Sequence, residues 1–171
     1  MKNEILSSII DLEGGYVNDP SDSGGETMHG ITVKVARDHG YFGPMRDLPR
    51  SVAMGVYELR YWTPVKGDQL NALSSRVAAE VVDTAINMGT HTASVFLQRS
   101  LNVLTKDGVM VDGHIGPQTI AALTDYLRVR DESVLLRALN CLQGSYYIEL
   151  AEKREKDKRF IYGWLKNRVV I

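Results

Sequence analysis

Along most of the chain, apolar residues recur at intervals of three and four, the period of an amphipathic helix. Ile5, Leu6, Ile9 and Ile10 follow Asn3, a good N-cap, and the pattern stops at Gly14-Gly15, where glycine takes the left-handed geometry of a helix end. A first helix is therefore predicted over about residues 4 to 13. From Tyr16 to Thr32 the text changes. Asn18-Asp19-Pro20-Ser21-Asp22-Ser23-Gly24-Gly25 is a cluster of turn formers with short polar alternation after it, which predicts irregular structure or a small hairpin.

Helical signals return beyond it. Thr32 can cap a short helix that ends at Gly40, and Ser51 one that carries Val52, Val56 and Leu59 up to Pro64. Val77, Ala78, Val81, Val82, Ala85 and Ile86 mark a helix from about Ser75 to Met88, closed by Gly89. Two more are predicted near residues 92 to 103 and 117 to 127, the second with Pro117 at its first position. Asp131 opens a long pattern through Val134, Leu135, Ala138, Leu139, Leu142, Tyr146 and Leu150 that continues into the charge run from Glu152 to Arg159. That run reads as a solvated face laced with i,i+4 pairs. The fold class that follows is mainly α.

At 171 residues, 44% hydrophobic and 24% charged, the chain suits a soluble globular unit with one core or two small ones. Lys+Arg 20 against Asp+Glu 21 leaves a net charge of -1, which argues against a protein living on nucleic-acid backbone or anionic lipid. The charge is uneven. Residues 126 to 171 hold Lys+Arg 10 against Asp+Glu 6, or +4, leaving -5 for residues 1 to 125. The basic third suits either an anionic polymer or an ordinary solvated helix. Cys141 stands alone and can form no internal disulfide. Val77 to Ile86 is broken by Glu80 and Asp83 and is too short to span a bilayer. The N-terminal residues lack the apolar core of an ordinary secretion signal. If its substrate lies outside the cytoplasm, a separate route such as a membrane pore must deliver it.

Glu13 is the first residue whose setting suggests chemistry. It sits at the predicted C-terminal end of a helix, where unpaired carbonyls disfavour the ionised carboxylate, and exclusion of water by Tyr16 or another aromatic residue would act in the same direction. Nine residues on lies Asp22 in a glycine-rich loop, followed by Thr27, His29 and Thr32. A carboxylic acid held neutral opposite an ionised carboxylate is the equipment for glycoside hydrolysis. The bland alternative is a solvated glutamate, with Asp19, Asp22 and Ser23 merely closing turns.

Glu13-Gly14-Gly15-Tyr16-Val17-Asn18-Asp19-Pro20, Asp22-Ser23-Gly24-Gly25-Glu26-Thr27 and Gly30-Ile31-Thr32 closely resemble the N-terminal signature of glycoside hydrolase family 108, the bacterial and phage N-acetylmuramidases. Tyr61-Trp62-Thr63-Pro64 with Asp68, and Asp83 to Gly89, resemble its later blocks. Asp112-Gly113-His114-Ile115-Gly116-Pro117-Gln118-Thr119 and Gly163 to Arg168 resemble the start and end of an associated peptidoglycan-binding-like helical region. The resemblance implies a lysozyme-like α fold, a catalytic region over 1–92, and a helical region over 93–171 packed with it as one globular unit. It implies cleavage of the β-1,4 bond between N-acetylmuramic acid and N-acetylglucosamine, for host cell lysis, after synthesis in the bacterial cytoplasm and delivery through a separate holin-type pore. Glu13 would be the catalytic acid, and Asp22 with Thr27 would direct a water. Asp19 rivals Asp22, and Thr32 rivals Thr27.

Tyr16, Thr32, Tyr57, Tyr61, Trp62 and Asn87 complete the candidate substrate contacts. Aromatic faces stack on sugar rings, although a helical aromatic stripe also marks a core, and Asn87 suits either an N-acetyl group or a helix cap. Trp164 reads as a packing anchor. His29, His39, His91 and His114 lack metal-ligand spacing, and Asp19 to Asp22 lacks the spaced carboxylates of a calcium loop, so no cofactor is expected. Two rivals stay open: lytic transglycosylation by Glu13 alone, and a wall-binding or secretion-assisting protein without turnover.

Overall fold

The computed structural model describes residues 1–18 and 25–169. Helices dominate: α1 (Lys2–Glu13), α2 (Val33–Asp38), α3 (Arg50–Tyr57), α4 (Gly67–Leu73), α5 (Ser75–Met88), α6 (Thr90–Leu104), α7 (Pro117–Val129), α8 (Glu132–Lys153) and α9 (Lys158–Arg168). The described strands are β1 (Thr27–Met28) and β2 (Ile31–Thr32), a two-stranded antiparallel sheet after α1. This is the mainly α architecture with a small hairpin that the chain's pattern predicts, and it agrees with the lysozyme-like fold that the resemblance implies. By density of contacts it divides into two compact units, Met1–Pro64 and Val65–Ile171.

In the first unit, α1 buries Leu6, Ile9 and Ile10. Removing each such side chain from water contributes about 1.5–3 kcal/mol. α1 packs on α3, whose buried face is Ala53, Val56 and Tyr57. Arg50 donates to the Ser7 carbonyl at 2.8 Å and the Ser7 hydroxyl at 2.6 Å, and pairs with Asp11 at 2.7 Å. These bonds set the register of two helices held together by apolar burial. α1 begins two residues before the predicted start and has no side-chain cap, so Asn3 lies inside the helix. α3 likewise starts at Arg50, ahead of Ser51, and continues as one π-helical turn over Glu58–Trp62. Thr32 caps α2 as predicted, accepting from the Val35 N–H at 3.3 Å.

In the second unit α5 packs against α4, α6 and α8. It buries Val77, Ala78, Val81, Val82 and Ala85, the residues whose spacing predicts it, and Ser74 caps it by accepting from the Val77 N–H at 3.0 Å. Gln98 of α6 organises the turn before α7: its amide donates to Asp112 at 2.8 Å and to the His114 carbonyl at 3.0 Å, while its oxygen accepts from the Gly113 N–H at 2.9 Å. The Gln98 amide, and after it the His114 N–H donating to the same carboxylate at 2.9 Å, hold Asp112 below the usual carboxylate range. Asp131 caps α8 through the Ser133 N–H at 2.8 Å. The predicted long helix is broken at Arg154, where a short 3-10 turn (Glu155–Asp157) precedes α9. Trp164 of α9 stacks on Tyr147 of α8 with centroids 5.0 Å apart, the packing contact predicted for it.

Among the described residues, no helix is long and apolar enough to cross a membrane.

Candidate active site

Glu13 is the last residue of α1 and is half-buried. Gly14 follows with φ 86 and ψ -171, a positive-φ extended geometry open essentially to glycine, and it ends the helix and turns the chain away. The strand that leaves it pairs with the hairpin: Val17 donates to the Thr27 carbonyl at 2.9 Å and accepts from the Thr27 N–H at 2.8 Å. Thr27 in turn faces Thr32, and Met28 faces Ile31. The chain after the carboxylate is thereby bridged to the two-stranded hairpin.

The hairpin closes through His29 and Gly30, with φ 55 and 73. Positive φ at both central residues is what a two-residue type I′ loop requires, because its twist matches the strands it joins. This turn lies against Glu13. A Cβ added at Gly30 would stand 3.1 Å from Glu13 Cβ, 3.3 Å from Glu13 Cγ and 2.5 Å from the Tyr57 hydroxyl. The Tyr57 hydroxyl donates to the His29 carbonyl at 3.0 Å. Glu13, the hairpin turn and Tyr57 thus meet at one point, brought there by three segments distant in sequence.

Tyr16 is half-buried, donates to Glu26 at 2.6 Å and lies beneath the Arg46 guanidinium, 4.7 Å from its centroid. Thr27 is half-buried on β1, and its hydroxyl lies 3.5 Å from the Val17 carbonyl, long for an O–H···O bond, so it is only weakly held. The Thr32 hydroxyl is engaged in capping α2. Tyr57 is 2% exposed, and Tyr61 is half-buried with its ring 5.6 Å from that of Tyr57. Trp62 is 0% exposed, so its ring belongs to the core and has no outer face to offer a sugar. Asn87 lies in the second unit, exposed, with its amide donating to the Asp83 carbonyl one turn back at 2.8 Å. Asp22 and its rival Asp19 fall outside the described residues.

Two neighbours of the site are not singled out by the sequence. Glu26 immediately precedes Thr27 in the same motif, and that adjacency is the signal that points to it. Arg46 carries no local signal; only the fold brings it over Tyr16. Among the described residues no cluster of three or more His, Cys, Asp or Glu is placed to hold a metal.

Residues 6–89 match the Glycosyl hydrolase 108 family, and residues 92–169 match a family described as a predicted peptidoglycan domain. Among solved structures the chain is similar to SagA of Brucella abortus, with a TM-score of 0.72 and 27% identity over 98% of this chain and 88% of that one. No curated protein is significantly similar to it. The chain belongs to the glycosyl hydrolase 108 family, with a peptidoglycan domain on its C-terminal side. That combination makes it a glycosidase of the peptidoglycan-hydrolase class. The family boundary at 89–92 and the boundary between compact units at 64/65 differ, because α5 belongs by sequence to the hydrolase match and by contact to the helices that follow it.

Proposed function

We propose that the chain is a lysozyme-type N-acetylmuramidase in which Glu13 protonates the glycosidic oxygen between N-acetylmuramic acid and N-acetylglucosamine. The observation that carries this reading is the placement of Glu13: it ends α1 inside the family match, with the hairpin turn seated on its stem. A fixed carboxyl at hydrogen-bond reach of a leaving oxygen is the first demand of general acid catalysis. Asp22 and Thr27 direct the attacking water to the anomeric carbon. The proton lost by Glu13 to the departing oxygen is replaced from that water, whose hydroxyl ends on the muramic acid. Thr27 suits this role better than Thr32, since its hydroxyl is only weakly held whereas that of Thr32 is spent on a helix cap. Tyr16 and Tyr61 keep part of their surface accessible for sugar contact.

The glycan strand of peptidoglycan is the substrate, and the peptidoglycan domain favours work on intact wall. In this reading the enzyme acts on the periplasmic face after release from the cytoplasm through a separate pore, and its cleavage serves cell lysis. Mass analysis of muropeptides released from purified sacculi tests the chemistry. Reducing muramic acid ends support hydrolysis; 1,6-anhydro ends would replace it with lytic transglycosylation, and no release at all would sink the enzymatic reading.

A further inference from the structure

Tyr57 draws attention because its position is at odds with the obvious use of a tyrosine in a sugar-cleaving enzyme. Its ring is buried, so stacking on substrate is not open to it. Its hydroxyl instead donates to the His29 carbonyl, in the middle of a turn whose two central residues both carry positive φ. A non-glycine residue in the left-handed region costs about 1 kcal/mol or more and persists where neighbours hold it. Tyr57 is such a neighbour. The turn it holds is the one packed on Glu13, with the space at Gly30 bounded by the Tyr57 hydroxyl on one side and the Glu13 stem on the other.

We infer that Tyr57 is a positioning residue for Glu13: its hydroxyl seats the His29-Gly30 turn, and the seated turn fixes the Glu13 stem and so the aim of its carboxyl. The inference rests on Glu13 being the catalytic acid. Tyr57 never touches the sugar, and its effect passes through the turn. Gly30 is the second half of the device, since any side chain there would wedge the turn away from both Tyr57 and Glu13.

The test uses the full chain and soluble glycan strands, with Tyr57→Phe, Gly30→Ala, the double variant and Glu13→Gln, each first checked for native circular dichroism. Tyr57→Phe deletes only the hydroxyl and keeps the buried ring. Its kcat should fall about tenfold with KM within about twofold, because a misaimed acid lowers the chemical step and leaves binding alone. Gly30→Ala should fall further. In the double variant the closest obstruction to the new Cβ is gone, so the combined loss should be smaller than the product of the two single losses. A rise in KM with kcat unchanged in Tyr57→Phe would assign the hydroxyl to substrate contact and overturn the inference. So would unchanged kinetics in Tyr57→Phe while Glu13→Gln is inactive, or strictly multiplicative losses in the double variant. An active Glu13→Gln would instead remove the catalytic reading on which the inference stands, and the two failures are told apart by that control.

Discussion

Glu80 on α5 offers a test of the fold that is independent of activity. Burial, with the Asp83 carboxylate one turn along the helix adding to it, pushes its carboxyl from 4.5 to about 7, against a smaller opposing hydrogen bond from Asn140. A second carboxylate there cannot ionise cheaply, since Asp83 already takes the charge and is held by Arg168 and by the Gln143 amide at 3.0 Å. The folded state keeps the Glu80 proton where the unfolded chain loses it. Stability is therefore fully present below about pH 4.5, declines as pH rises towards 7, and levels off once the folded form also ionises. At about 1.4 kcal/mol for each tenfold in proton affinity, the decline approaches about 3 kcal/mol. Glu80→Gln keeps the shape and cannot ionise. Urea unfolding followed by circular dichroism from pH 4 to 8 should give a difference between variant and wild type that grows in favour of the variant by up to about 3 kcal/mol across this window. Parallel stability curves would show that Glu80 ionises freely in the folded chain and would refute the reasoning.

Three further outcomes follow from the packing. Ser74→Ala removes the cap of α5 and a partner of Glu132, and should lower unfolding stability by about 1–2 kcal/mol in the same assay. Arg168→Ala leaves the half-buried Asp83 without its cation and should cost about 2 kcal/mol, while Asp83→Asn in the same background recovers part of the loss. Trp62→Phe should lower the melting temperature and leave KM on glycan strands unchanged, because the ring is wholly in the core; a several-fold rise in KM without destabilisation would give the ring back to the substrate.

Most of the helices were legible because each is announced by residues within its own span. Thr32 caps α2, Pro117 opens α7, Asp131 caps α8, and the three-and-four spacing of Val77 to Ile86 marks α5 to within a residue. What escaped depends on partners far along the chain. α4 is only seven residues long and begins after Lys66 at φ 57, a conformation that nothing in the lysine announces. The stretch from Glu152 to Arg159 has strong local preference for helix, and the break at Arg154 goes with α9 folding back so that Trp164 meets Tyr147. Glu80 reads as an ordinary polar position of an amphipathic helix, and its burial depends on α8. At the site, the glutamate before two glycines and the hairpin after it could be read from the motif. The roles of the aromatic residues could not: spacing alone does not distinguish Trp62, sealed in the core, from Tyr61, half open four residues after Tyr57.

The central claim is that Glu13 is the proton donor, and the most direct measurement is turbidity loss of outer-membrane-permeabilised Gram-negative cells treated with wild type or with Glu13→Gln. The change is nearly isosteric and removes only the donor, and both proteins are first shown to share one circular dichroism spectrum. Lysis by wild type, with the variant slower by about a hundredfold or more, is the result this account predicts. Equal lysis by both proteins, or none by either on several purified sacculi, would contradict it.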